Sequence, residues 1–112
     1  MPRIQKLIVS KSGLPALYSQ EEVSDPIVHV KLFTPYSGWT WLLTECSGLR
    51  AFGFAYDGNN PDGAELGYID VAELQGLRTR QGWQMVERDA HFRPKPLSEA
   101  KAIECPRLRR AS

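Results

Sequence analysis

The segment whose reading decides the fold is "IVHVKLFTPYSGWTWLLTE", Ile27 to Glu45. In its first half Val28, Val30 and Leu32 alternate with His29, Lys31 and Phe33. Alternation with a period of two is the mark of a strand with one buried face. Pro35, Ser37 and Gly38 then supply turn chemistry. In the second half Trp39, Trp41 and Leu43 lie on one face and Thr40, Leu42 and Thr44 on the other. Two such runs about a short turn predict an antiparallel hairpin.

Working outward, "CSGLR" is a turn and "LRAFGFAY" a third strand, with Phe52 and Phe54 on one face. Gly53 between them suggests a bulge or a close backbone approach. "DGNNPDGA" reads as a long turn and "ELGYIDV" as a short fourth strand near an edge. Asp70 followed by Glu73 forms a capping-box signature for a helix over "VAELQGL". "WQMVE" is a candidate fifth strand, and Pro94 and Pro96 forbid a long regular element in "RDAHFRPKP". "LSEAKAI" suits a turn or two of helix, stopped by Pro106. Upstream of the hairpin, Ile4 to Val9 reads as a short helix broken by Ser10, Gly13 and Pro15. These elements predict an α+β fold: a single antiparallel sheet of four to five strands in a meander, covered on one face by short helices.

The chain has 112 residues, the length of one domain. The expected layout is a single domain over 1–112, with its core in about 14–104 and a basic tail over 105–112. Composition is 42% hydrophobic and 24% charged, too apolar for a disordered chain. No apolar run reaches the ~20 residues of a membrane helix. The first residues lack a signal-peptide pattern, so the expected location is the cytoplasm, with no membrane partner. Cys46 and Cys105 are the only cysteines and form no Cys-x-x-Cys pair. Free thiols packed as small hydrophobes are the plain expectation.

Net charge is +1, but its distribution is uneven. Residues 1–77 carry five Lys/Arg against nine Asp/Glu, or −4; residues 78–112 carry nine against four, or +5. A basic C-terminal third hints at an anionic partner, unless it packs against the acidic remainder of the same molecule.

Several residues are candidates for chemistry. His91 has Glu87 and Asp89 close along the chain, and a carboxylate that orients an imidazole supports general-base chemistry. A hydrolase centred on His91 would use them so, although no nucleophile elbow accompanies the three. Arg88, His91, Arg93 and Lys95 could instead present a binding surface, with the two arginines as anchors for a protein partner. Phe92 is expected to be the buried anchor of that segment. Tyr36 and Trp39 could stack bases while Arg107, Arg109 and Arg110 contact phosphates, which would make nucleic acid the partner. "DGNNPDGAE" departs from a calcium loop, because Pro61 and Asp62 occupy a ligand position and the glycine position. His29 and His91 have no zinc-site spacing. No metal and no cofactor is expected.

Together, Phe33-Thr34-Pro35, Trp39-Thr40-Trp41, Glu65-Leu66-Gly67-Tyr68, Glu87-Arg88-Asp89, His91-Phe92 and Pro94-Lys95-Pro96 carry a resemblance. From about Leu14 to Ala100 the chain resembles a small family of bacterial domains of unknown function. That family is carried on conjugative plasmids, integrative elements and phage-like islands. The resemblance implies a cytoplasmic accessory protein of a mobile element. Its function would be non-enzymatic binding of a host-defence or conjugation protein.

Overall fold

The computed structural model describes residues 4–9 and 12–108. Strands β1 (Ile27–Val28), β2 (Val30–Phe33), β3 (Trp39–Ser47), β4 (Arg50–Asp57) and β5 (Glu65–Asp70) precede helix α1 (Val71–Gly76). Strands β6 (Glu87–Arg88) and β7 (Lys95–Pro96) and helix α2 (Leu97–Glu104) follow. The main sheet has the order β5-β4-β3-β2-β6, and every pairing in it is antiparallel. A separate two-stranded ribbon joins β1 to β7. The fold is therefore α+β, with the expected hairpin at its centre and a second small sheet beside it.

Three local expectations are corrected. Ile27 to Phe33 is not one strand: it breaks at His29, so that β1 leaves the sheet to pair with β7. The fifth strand of the sheet is β6, which overlaps "WQMVE" only at Glu87 and pairs through Leu32–Arg88 and Phe33–Glu87. Residues 4–9 form no helix. Side-chain amides take up their backbone groups instead. Gln84 Oε1 accepts from Gln5 N at 2.7 Å, Gln75 Oε1 accepts from Leu7 N at 2.9 Å, and both glutamines donate to the Gln5 carbonyl. This extended segment buries Leu7 completely, well before residue 14.

The sheet is buried on both faces. One face packs Val30, Leu32, Trp41, Leu43 and Ile69 against Leu7, Val86 and the α1 residues Val71 and Leu74. The opposite face packs Leu42, Phe54 and Tyr56 against Val28, Cys105 and the α2 residues Leu97 and Ala100. The expectation that the helices share one face is corrected accordingly. β3 explains why: Thr40 to Glu45 are all buried, and a strand apolar at successive positions needs cover on both sides.

The helix ends follow local chemistry. Asp70 caps α1, its Oδ1 accepting from Glu73 N at 3.1 Å. The α2 start is capped from far away in sequence. Asp25 accepts from Ser98 N at 2.9 Å and from Ser98 Oγ at 2.6 Å. These bonds, the hydroxyl's first, hold the Asp25 carboxyl below its usual range. Among the described residues no helix is long and apolar enough to cross a membrane.

Candidate functional site

The segment 87–96 is a strap whose polar groups serve mostly their own fold. Arg88 donates from its guanidinium to the Lys6 carbonyl at 2.6 Å, and its backbone N–H reaches Gln5 Oε1 at 2.7 Å. Asp89 pairs with Lys31 at 3.5 Å, and Lys31 also pairs with Glu104 at 2.5 Å. Asp89 Oδ1 accepts from the His91 backbone N–H, not from its imidazole. Lys95 lies over the Phe92 ring at 4.8 Å. Phe92 packs against the α2-side cluster but is only half-buried. His91 and Arg93 remain exposed.

Among the described residues no hydrogen bond or ion pair joins the His91 imidazole to Glu87 or Asp89. None of the three principal grooves includes His91.

The aromatic candidates divide. Trp39 and Trp41 stack at 5.6 Å between ring centroids, but Trp41 is 9% exposed and Trp39 41%. Trp41 belongs to the core and Trp39 shields it from solvent. Tyr36 is exposed in the hairpin turn. That turn follows β2, whereas the strap's free end lies level with the start of β2, where the Asp89 N–H reaches the Lys31 carbonyl.

Three of the C-terminal cations are engaged within the fold. Lys101 sits over Phe54 at 4.4 Å, Arg107 donates to the Gly58 carbonyl, and Arg78 donates to the Gln75 and Leu77 carbonyls. Arg109 and Arg110 lie outside the described residues. Also among the described residues, no three His, Cys, Asp or Glu side chains gather as a metal-binding group.

A different surface carries a groove of about 370 Å³ on the α2 side of the sheet. Phe52, Leu66 and Tyr68 form its floor, the loop 18–24 one wall, and Pro26 and Leu97 the end. Tyr18, Val23, Leu66 and Tyr68 are each 45–53% exposed. Tyr68 meets Phe52 edge-on at 5.4 Å and Tyr18 at 6.3 Å, with the Arg50 guanidinium over its ring at 4.5 Å. The adjoining Tyr18 hydroxyl, above all, raises the Tyr68 pKa.

Glu45 organises this groove, and a bulge puts it there. In β3, Leu43 stands opposite Gly53, yet Glu45 stands opposite Phe52, so Thr44 and Glu45 share one partner position. Without the extra residue, Glu45 would follow Trp41 and Leu43 to the α1 side. The bulge re-aims it to the groove side. Glu45 is buried, and its two carboxylate oxygens accept from Tyr18 N at 2.9 Å and Gln20 N at 2.7 Å. Tyr18 is held at a φ of 70°, the only described non-glycine residue with positive φ. Gly53 permits the crossing at the bulge, because a Cβ there would run into the Leu42 carbonyl and lie 2.9 Å from Leu43 Cα.

The sequence reading did not single out this groove. Its traces were present in the shared face of Phe52 with Leu66 and Tyr68, but the bulge that supplies Glu45 has no sequence mark besides Gly53.

The remaining titratable groups are not gathered into a reactive centre. Burial lowers the His29 pKa and raises that of the half-buried Cys46 thiol. The buried Cys105 thiol is pushed up to about 11, by burial first and the Glu104 carboxylate second. Both cysteines are free.

Residues 6–103 match the family model described as "Protein of unknown function (DUF2958)", and the chain belongs to that family. No curated protein and no solved structure matches it.

Proposed function

We propose that this protein is a non-enzymatic binding domain, an accessory product of a mobile genetic element that acts on a host-defence or conjugation protein. The groove beside β5 is the observation that carries the binding reading. Four half-exposed apolar side chains converge there, and contiguous apolar exposure rimmed by polar groups marks interaction surfaces. The left-handed Tyr18 adds to it. A residue of this kind held at positive φ carries strain of about 1–3 kcal/mol, and such strain clusters at ligand clamps. The mobile-element setting rests on the motif resemblance alone.

In-cell crosslinking followed by affinity capture tests this reading. The expected result is one protein of a defence or conjugation system, recovered with the native chain and lost with Tyr68→Ala. Recovery of nucleic acid without a protein partner, or the same recovery from an unrelated domain, contradicts it.

A second reading, contact with nucleic acid, draws on the exposure of Trp39 and Tyr36. Base stacking on such rings contributes about 1–3 kcal/mol per base. A gel-shift titration at several salt concentrations decides it: no shift at low salt removes this reading.

A further inference from the structure

The two edges of the main sheet are treated differently. At the β6 edge the Gln5 side chain imitates a neighbouring strand. Its Oε1 accepts from Arg88 N at 2.7 Å and its Nε2 donates to the Arg88 carbonyl at 3.2 Å. At the other edge β5 has six residues in unbroken register with β4, from Arg50–Asp70 to Ala55–Glu65. Among the described residues, no backbone hydrogen bond beyond the β4 ladder reaches residues 65–69. Proteins usually blunt an edge with lysine, proline, a bulge or a covering segment; β5 contains no lysine, proline or bulge, and among the described residues no segment pairs with its outer edge.

We infer that β5 is the docking edge for an extended segment of a partner protein, one with alternating apolar side chains and flanking lysines or arginines. The inference rests on the binding reading above and names the partner's chemistry. Strand addition draws its affinity from main-chain hydrogen bonds and its specificity from alternate side chains. Leu66 and Tyr68 point to the groove face, opposite Phe54 and Phe52. An incoming strand with apolar residues at every second position would continue that surface across the edge.

Charge selects the occupant. Glu65 and Asp70 terminate β5, and Glu21 lines the same groove as Tyr68. The cation at this edge, Arg50, is stacked on Tyr68. A second copy of the chain, paired antiparallel through β5, would bring Glu65 of each copy towards Asp70 of the other. Like charges across a strand pair are destabilising. A basic segment meets the same two carboxylates favourably and is excluded neither by charge nor by shape.

Amide NMR of the intact chain, titrated with synthetic peptides, tests the inference. The probes are a short peptide alternating lysine and valine, its glutamate–valine counterpart, and the lysine peptide N-methylated at alternate amides. The lysine peptide is expected to shift the amides of residues 65–69 and slow their hydrogen exchange. The glutamate peptide should bind roughly tenfold or more weakly, and the N-methylated one should not bind, because it cannot complete the ladder. Leu66→Lys should weaken the lysine peptide by about tenfold while the spectrum stays folded. Glu65→Lys should narrow the preference for the basic peptide over the acidic one. Equal binding of both peptides, shifts centred on 89–95, no shift at millimolar peptide, or sedimentation showing β5 paired between two copies would each overturn the inference. Partner capture that persists undiminished in Leu66→Lys overturns the edge alone. Failure of the native chain to capture any protein, with β5 still binding the peptide, overturns the accessory-protein reading alone.

Discussion

The two outer strands of this sheet make an instructive pair. β6 belongs to a highly charged segment of the chain, and the two charges nearest the sheet, Arg88 and Asp89, are engaged within the fold. Arg88 serves the N-terminal segment, Asp89 serves Lys31 and the strap's own turn, and Gln5 seals the edge. β5 looks unremarkable in sequence, yet among the described residues its outer edge is unpaired and Leu66 and Tyr68 stand half in solvent. Density of polar residues thus says little about availability. What matters is where each backbone and side-chain group finds its partner.

The harshest way to break the comparison is to damage the platform between the edges. Gly53→Ala forces a Cβ into the backbone of Leu42 and Leu43 at the bulge. A loss of about 3 kcal/mol or more is expected in urea unfolding, since rigid backbone cannot yield as a side chain can. A more selective change is Glu45→Ala, which leaves two backbone N–H groups of the groove wall without an acceptor. Hydrogen bonds to a charged group are worth about 1.5–3 kcal/mol each, so a loss of about 3 kcal/mol is expected. Faster hydrogen exchange confined to residues 18–20 would locate the damage at the groove wall.

At the sealed edge, Gln5→Ala removes the acceptor of Arg88 N and the donor to its carbonyl. A stability loss of about 1–2 kcal/mol is expected. Light scattering should also rise with protein concentration, because an uncovered edge recruits other strands. The smallest effect concerns Asp25, whose pKa is lowered in the folded state by Ser98. The sign follows from linkage: the unfolded chain holds this proton more tightly, so the contribution is present above the ordinary 3.8. It is lost as pH falls through the lower, folded value. Asp25→Asn should flatten the acid limb of a stability–pH profile and leave the neutral limb's slope unchanged.

Much of this architecture was legible in the sequence. The central hairpin, the third and fourth strands, the Asp70 cap and the short α2 all follow from local pattern and local chemistry. Gly53 was correctly marked as a place of close approach. What escaped was non-local. Residues 4–9 lie extended because Gln75 and Gln84 supply their partners from about seventy residues or more away. Asp25 caps a helix that begins 72 residues later. The helices divide between the two faces because β3 is apolar on both, a reading that its alternating tryptophans obscured. Among the candidate side chains, His91, Arg93, Tyr36 and Trp39 are exposed, the first two on the strap and the other two in the hairpin turn and at the start of β3. The groove itself depends on a bulge, and bulges are decided by the partner strand as much as by their own residues.

The most direct test sets the two regions against each other. Calorimetric titration of the lysine–valine peptide into Leu66→Lys and Arg93→Glu compares the open edge with the strap under identical conditions. Loss of about tenfold in affinity for Leu66→Lys, against less than about twofold for Arg93→Glu, is the expected result. The reverse order would place the contact on the strap and contradict the open-edge reading.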